Sequence, residues 1–158
     1  MIKVMIADDQ ALIRESLQII LSAQQDIQVT FTVAAGQEVL ERIPQARPDV
    51  VLMEIRMHKM DGVMATNKVK ERFPEVKIII LTTFDDDDFI FRALKYGASG
   101  YLLKGSSTEE LYQAIQIVYH GGAMINPNIA SKVFQIFSQM AQSNYTISVS
   151  EEYVSDLS

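Results

Sequence analysis

Apolar and polar positions alternate along the chain in blocks whose period switches between strand-like and helix-like. Ile2 to Ala7 is apolar apart from Lys3 and predicts a short buried strand that Asp8-Asp9-Gln10 breaks. Leu12, Ile13, Leu17, Ile20 and Leu21 then recur at helical spacing, predicting an amphipathic helix from about Ala11 to Ser22. Ile27 to Ala34 reads as a second strand, and Gly36 opens a short helix carrying Val39, Leu40 and Ile43 that is expected to stop by Pro44. Val50 to Met53 is apolar without alternation, as in a strand covered on both faces, and ends at Glu54. Asp61-Gly62 supplies turn chemistry before a helix over Val63 to Phe73, with Val63, Ala65, Thr66, Val69 and Phe73 inward.

Lys77 to Thr82 predicts a fourth strand and Gly100 to Leu103 a fifth, followed by Lys104. Between them, Asp85 to Asp88 precede Phe89, Ile90, Phe91, Ala93 and Leu94; four acids there suit a helix N-terminus better than a metal site. Ser107-Thr108-Glu109-Glu110 is a capping box for a helix to about His120, closed by Gly121-Gly122. Pro127 starts one more amphipathic helix with Ile129, Val133, Ile136, Phe137 and Met140, and from about Ser143 the chain reads as a polar linker or frayed tail. Five strands alternating with helices predict an α/β fold with a parallel sheet.

Length and charge narrow the picture. The 158 residues suit one domain with some remainder, and a net charge of −6 is the wrong sign for nonspecific nucleic-acid binding. The absence of cysteine removes disulfides and thiolate chemistry and fits a reducing compartment. Met1-Ile2-Lys3-Val4 enters a strand directly, without a signal-peptide core, and no apolar run is long enough to span a bilayer, so a cytoplasmic protein without membrane contact is expected.

The chemistry gathers at strand ends. In a parallel sheet Asp8-Asp9, Glu54, Thr82 and Lys104 share one edge, where ligands of open α/β sheets bind. Close carboxylates need a cation or a raised pKa, and an all-oxygen set points to Mg²⁺. Carboxylates, Mg²⁺, a lysine and a hydroxyl make a phosphoryl-transfer kit. The plainer readings are a solvated Glu54 ending its strand, a surface salt bridge for Lys104 and ordinary strand composition for Thr82.

Taken together, Asp8-Asp9, the acid inside Val51-Leu52-Met53-Glu54-Ile55-Arg56-Met57, Met60-Asp61-Gly62, Leu81-Thr82-Thr83-Phe84 and Gly100-Tyr101-Leu102-Leu103-Lys104 resemble a response-regulator receiver domain. The chain is most similar there to the NarL/FixJ (LuxR-type) transcriptional regulators. The resemblance covers about residues 1–120 as the receiver and leaves 121–158 as a linker helix and polar tail. It implies a flavodoxin-like, doubly wound five-stranded sheet of order 2-1-3-4-5. It also implies Asp8 and Asp9 as Mg²⁺-binding acids, with Glu54 and the Arg56 backbone carbonyl as further ligands. Glu54 falls on the phosphoacceptor position, Thr82 on the switch hydroxyl, Tyr101 on the switch aromatic and Lys104 on the phosphoryl-contacting lysine.

The sequence departs from that pattern twice: the family's phosphoacceptor is Asp where this chain has Glu54, and the family usually has Pro where it has His58. A carboxylate one methylene longer implies a phosphomimic or a degenerate site. The implied partners are a sensor histidine kinase and a second copy of the chain, contacting through Phe89 to Leu94 or Leu111 to Val118. DNA is expected to be reached only through a C-terminal helix-turn-helix domain absent from this chain. Two other functions fit the residues: a phosphate-independent interaction module and a Mg²⁺-dependent phosphatase. Against the latter, no Asp-x-Asp nucleophile motif follows the first strand.

Overall fold

The structure, a computed structural model, describes residues 1–157, with side chains through residue 143. Its elements are β1 (Ile2–Ala7), α1 (Ala11–Ser22), β2 (Ile27–Val33), α2 (Gly36–Ala46), β3 (Val50–Met53), α3 (Gly62–Arg72), β4 (Lys77–Thr82), α4 (Asp87–Lys95), β5 (Gly100–Leu103), α5 (Thr108–Tyr119), β6 (Met124–Ile125) and α6 (Pro127–Leu157). The sheet runs β2-β1-β3-β4-β5-β6, every neighbouring pair parallel. The expected strand order is therefore present and extended by one strand.

The strands lack alternation because both sheet faces are covered. Met5, Val51, Met53, Ile78 and Ile80 point into one apolar layer with α2, α3 and α4, which Ile129 of α6 also enters. Val4, Ile6, Leu52, Ile79 and Leu102 point into the other, against Leu111, Ile115 and Val118 of α5. On α1 the apolar stripe is wider than its buried face: Leu21 is buried, whereas Leu12 and Ile19 are exposed.

Three expectations need correction. The sixth strand was missed because two residues carry no periodicity. After the Gly121-Gly122 turn the chain returns along the free edge of β5, pairing Met124 with Gly100 and Ile125 with Tyr101. Asn126 then extends the ladder with its side chain: Oδ1 accepts the Leu103 N–H at 2.7 Å, and Nδ2 donates to Ser106 Oγ at 3.1 Å. Pro44 lies inside α2 rather than ending it, and the helix closes at Arg47, whose left-handed conformation (φ 45°) lets its N–H reach Ile43 O at 2.8 Å. Near a C-terminus a proline interrupts little of the helical ladder. The last helix does not fade near Ser143, and after Pro127 no glycine or proline breaks its continuity to Leu157.

The capping box is half formed. Ser107 Oγ accepts the Glu110 N–H at 3.1 Å, but the Glu110 carboxylate turns to Asn126 Nδ2 instead of back to Ser107. No acid of the Asp85–Asp88 run caps α4 through its side chain; Asp87 and Asp88 lie in the first turn, where the helix dipole favours them.

Asn126 holds the last ladder bond and the start of α6 together. Asn126→Ala is expected to lower unfolding free energy by about 1–3 kcal/mol, because the Leu103 N–H loses its acceptor. Urea denaturation of both forms measures it.

Candidate functional site

The register dictates the site. Ala7 pairs with Met53 and Thr82 with Leu103, so the next residues, Asp8, Glu54 and Lys104, emerge side by side at the C-terminal sheet edge. Glu54 N–H donates to Ala7 O at 2.9 Å, and Lys104 N–H donates to Thr82 O at 2.7 Å, carrying the ladder one step beyond the strands. Behind Glu54 the chain must turn tightly into α3: a Cβ on Gly62 would lie 2.0 Å from the Glu54 carbonyl oxygen, so no side chain fits there.

Asp8 and Glu54 are both buried. Lys104 Nζ stands between them, 2.7 Å from Asp8 Oδ2 and 2.7 Å from Glu54 Oε1. The remaining oxygens take backbone donors: Asp8 Oδ1 accepts from Gln10 N–H at 2.9 Å and Glu54 Oε2 from Ile55 N–H at 2.7 Å. Burial pulls the Lys104 ammonium towards its neutral form, but the Asp8 and Glu54 carboxylates outweigh it and hold its pKa above the usual lysine value. The lysine is therefore the charge that lets two buried carboxylates share one sheet edge.

The two switch positions meet at Phe84 rather than at Glu54. Thr82 Oγ1 accepts the Phe84 N–H at 3.3 Å, and the Tyr101 hydroxyl donates to Phe84 O at 2.5 Å. Tyr101 is fully buried; burial, followed by the charges of Asp85, Asp86 and Glu54, pushes its phenol well above the usual range. The Arg56 guanidinium lies 4.6 Å over the Phe84 ring. Asp9, Gln10, Glu54, Arg56, Thr83 and Lys104 line an open cleft of about 490 Å³. Asp9 is exposed on its rim.

The donors suit a hard cation in kind, being carboxylate oxygens at one sheet edge with lone pairs to spare. Their arrangement does not form a ready metal cage: among the described residues no three acidic, histidine or cysteine groups are set to hold an ion. A cation entering beside Asp8 and Glu54 would compete with the Lys104 ammonium.

Sequence reasoning missed four participants. Phe84 is the shared anchor of Thr82 and Tyr101. Arg14 donates from Nη1 to Asp8 O at 2.7 Å. Asn126 braces the loop that follows Lys104 through Ser106. Lys132 of α6 donates to Asp85 O at 2.8 Å and lies 3.6 Å from Asp85 Oδ2, on the loop that follows Phe84, and 3.8 Å from Asp87 Oδ1 in the first turn of α4. Asn126 carried a local signal, as a polar residue directly before Pro127, and Phe84 stood within the Leu81–Phe84 motif without an assigned role.

An open parallel sheet with two acids and a lysine at its C-terminal edge defines a receiver-type site, and the chain belongs to the response regulator receiver domain family, whose model matches residues 4–116. Within that family it is of the LuxR/NarL type. It is 38% identical over 152 residues to the oxygen regulatory protein NreC of Staphylococcus epidermidis, covering 96% of this chain and 70% of that protein. The structure is similar to a LuxR-family two-component response regulator from Aurantimonas sp., with TM-score 0.79, 27% identity and 84% and 95% of the two chains covered. It is also similar to the receiver domain of the response regulator NarL from Mycobacterium tuberculosis, with TM-score 0.73, 30% identity and 76% and 97% covered.

Lys104→Met leaves Asp8 and Glu54 facing each other without compensation. We expect a loss of about 3–5 kcal/mol at neutral pH, the range for breaking a buried ion pair. The gap is read as the difference in urea midpoint between the two forms. At alkaline pH the unmodified chain loses the contribution of Lys104. The folded-state pKa of Lys104 is raised, so its stabilisation is complete below 10.5 and is lost as pH rises through the higher folded value. Urea titrations across pH for both forms test this loss.

Proposed function

We propose that this chain is the receiver of a two-component transcriptional regulator in which a fixed carboxylate contact, Glu54 to Lys104, stands where an acyl-phosphate contact would form. The observation that carries the reading is the 2.7 Å distance from Lys104 Nζ to Glu54 Oε1, with the same ammonium held by Asp8. The lysine expected to meet a phosphoryl oxygen already meets an oxygen of Glu54. The buried Tyr101 and its bond to Phe84 O supply the second half, a loop between β4 and α4 drawn onto the sheet edge. Mimicry is partial, because a carboxylate carries about one charge and a phosphoryl group nearly two.

In this reading a sensor histidine kinase is the upstream partner and transcription regulation the output. Mg²⁺ would be held by Asp8, Asp9 and Glu54 with the Arg56 backbone carbonyl, and would supply charge neutralisation at the sheet edge. Lys104 must yield for it to bind, so affinity is weak. The chain works in pairs as a homodimer, and DNA contact is the work of a helix-turn-helix domain, because the acidic charge of this chain opposes it. Signalling rather than turnover is the role. No helix among the described residues is long and apolar enough to cross a membrane. A phosphate-independent interaction module is the second reading, favoured by one observation: every oxygen of the Asp8 and Glu54 carboxylates already has a partner within the chain.

In-line transfer tolerates little displacement, and an error of roughly 1 Å, about one methylene, can cost a hundredfold in rate. Incubation with a small phosphodonor and Mg²⁺ is therefore expected to leave the intact mass of this chain unchanged, and to label Glu54→Asp. Robust labelling at Glu54 would overturn the proposal. Sedimentation of the unphosphorylated chain beside Glu54→Asp and Glu54→Ala separates the two readings: mimicry predicts the largest dimer population for Glu54, and a phosphate-independent module predicts equal populations.

A further inference from the structure

The α6 helix has more apolar surface than the body of the protein covers. At about 100° per residue, Ile129, Val133, Ile136 and Met140 form one stripe, and Ala130, Phe134, Phe137 and Ala141 form a second stripe beside it. The first stripe meets the protein: Ile129 is fully buried, and Val133, Ile136 and Met140 line a groove of about 280 Å³ against Phe91 and Leu94 of α4. The second stripe is largely left in water: Phe134 is 72% exposed, and Phe137, although it also borders that groove, is 68% exposed. Two neighbouring exposed phenylalanines on one helix face mark an interaction surface.

We infer that the Phe134–Phe137 stripe of α6 is where a second copy of this chain docks, α6 against α6. The inference rests on the homodimer reading above and names its contact face.

Charge selects the occupant. The chain carries −6 overall, so two copies repel over most of their surface, yet no charged residue occurs between Lys132 and Glu151. Lys132 itself is turned to Asp85 and Asp87. This uncharged face is where two acidic copies approach without repulsion. The same lack of cations argues against an anionic membrane, which selects helices with a basic polar face, and against nucleic acid. The faces expected from sequence are spent elsewhere. Leu111, Ala114, Ile115 and Val118 are buried under the sheet, Ile90 and Ala93 are buried in α4, and Phe91 and Leu94 face α6.

The test uses the whole chain. Phe134→Glu places a good helix former at an exposed site outside the groove, so the fold should be retained, as circular dichroism and the urea midpoint will register. Sedimentation equilibrium is expected to show dimerisation weakened roughly thirtyfold or more, as for loss of an aromatic hot spot, with Leu12→Glu on the exposed face of α1 unchanged. Because the chain has no cysteine, Phe134→Cys can be oxidised cleanly. It should form a covalent dimer faster than Gln139→Cys on the polar face of α6. A dimer that survives Phe134→Glu but is lost in Leu12→Glu would overturn the inference and leave the receiver reading intact. So would equal cross-linking of the two cysteine variants. A chain that is monomeric throughout and pellets with phosphatidylglycerol vesicles would assign the stripe to a lipid surface instead. Phosphate labelling of Glu54 decides the receiver reading separately, whatever the state of association.

Discussion

Two carboxylates at adjacent strand ends, buried and within reach of one ammonium, are the constraint around which this molecule is built. An isolated buried charge is expensive, and here Lys104 supplies the opposite charge to both Asp8 and Glu54. Lys104 can meet both only because β1, β3, β4 and β5 run parallel in a register that ends them at one level. The apolar strands, the helices that cover both faces and the tight entry into α3 at Gly62 all serve to fix that register. A slip of one residue would send Glu54 to the opposite face and leave Lys104 with a single partner.

From this centre two chains of contact lead outwards. One passes through Thr82 and Tyr101, which hold Phe84 from both sides, and through the Arg56 guanidinium stacked on the Phe84 ring. The loop beyond Phe84 is in turn gripped by Lys132 of α6. The other passes from the residues after Lys104 through Ser106 to Asn126, which closes the sheet and starts α6. Both routes end on α6. The charge gathered between β1 and β3 is therefore connected to the same helix by two routes. The physical element that a signal could bias is the seat of α6 on α4, which presents a half-open groove rather than a filled core.

The fold was legible wherever burial was two-sided, because uninterrupted runs such as Val50 to Met53 and Ile78 to Leu81 have no other economical interpretation. The site was legible because acids and a lysine directly after such runs must share an edge if the strands are parallel. What escaped the sequence lay in short or non-local features. Met124 and Ile125 become a strand only because β5 offers them an unpaired edge. Thr82 and Tyr101 bond to the two backbone groups of Phe84, its N–H and its carbonyl, and such a shared partner has no signature in residue type. The pairing of Lys104 with Asp8 as well as Glu54 also needed coordinates, since spacing along the chain does not say which of three acids a lysine will choose.

The extra methylene of Glu54 gives that choice its consequence. Its carboxylate makes two contacts of different character, one to its own neighbour's Ile55 N–H and one to Lys104, both at 2.7 Å. The first fixes the carboxylate against the backbone; the second uses the remaining reach to bring an oxygen to the ammonium. A shorter Asp side chain spanning the same two anchors would have to give up one of them or draw Lys104 inward. The longer acid therefore forms a closed local unit with Lys104 and Asp8, compensated in charge to within one unit without any added group. On the proposed reading, a metal ion entering this unit would have to displace the lysine, and a phosphoryl donor would have to approach an oxygen already engaged. The same side-chain length that carries the Glu54 carboxylate to Lys104 keeps its other oxygen on the Ile55 N–H.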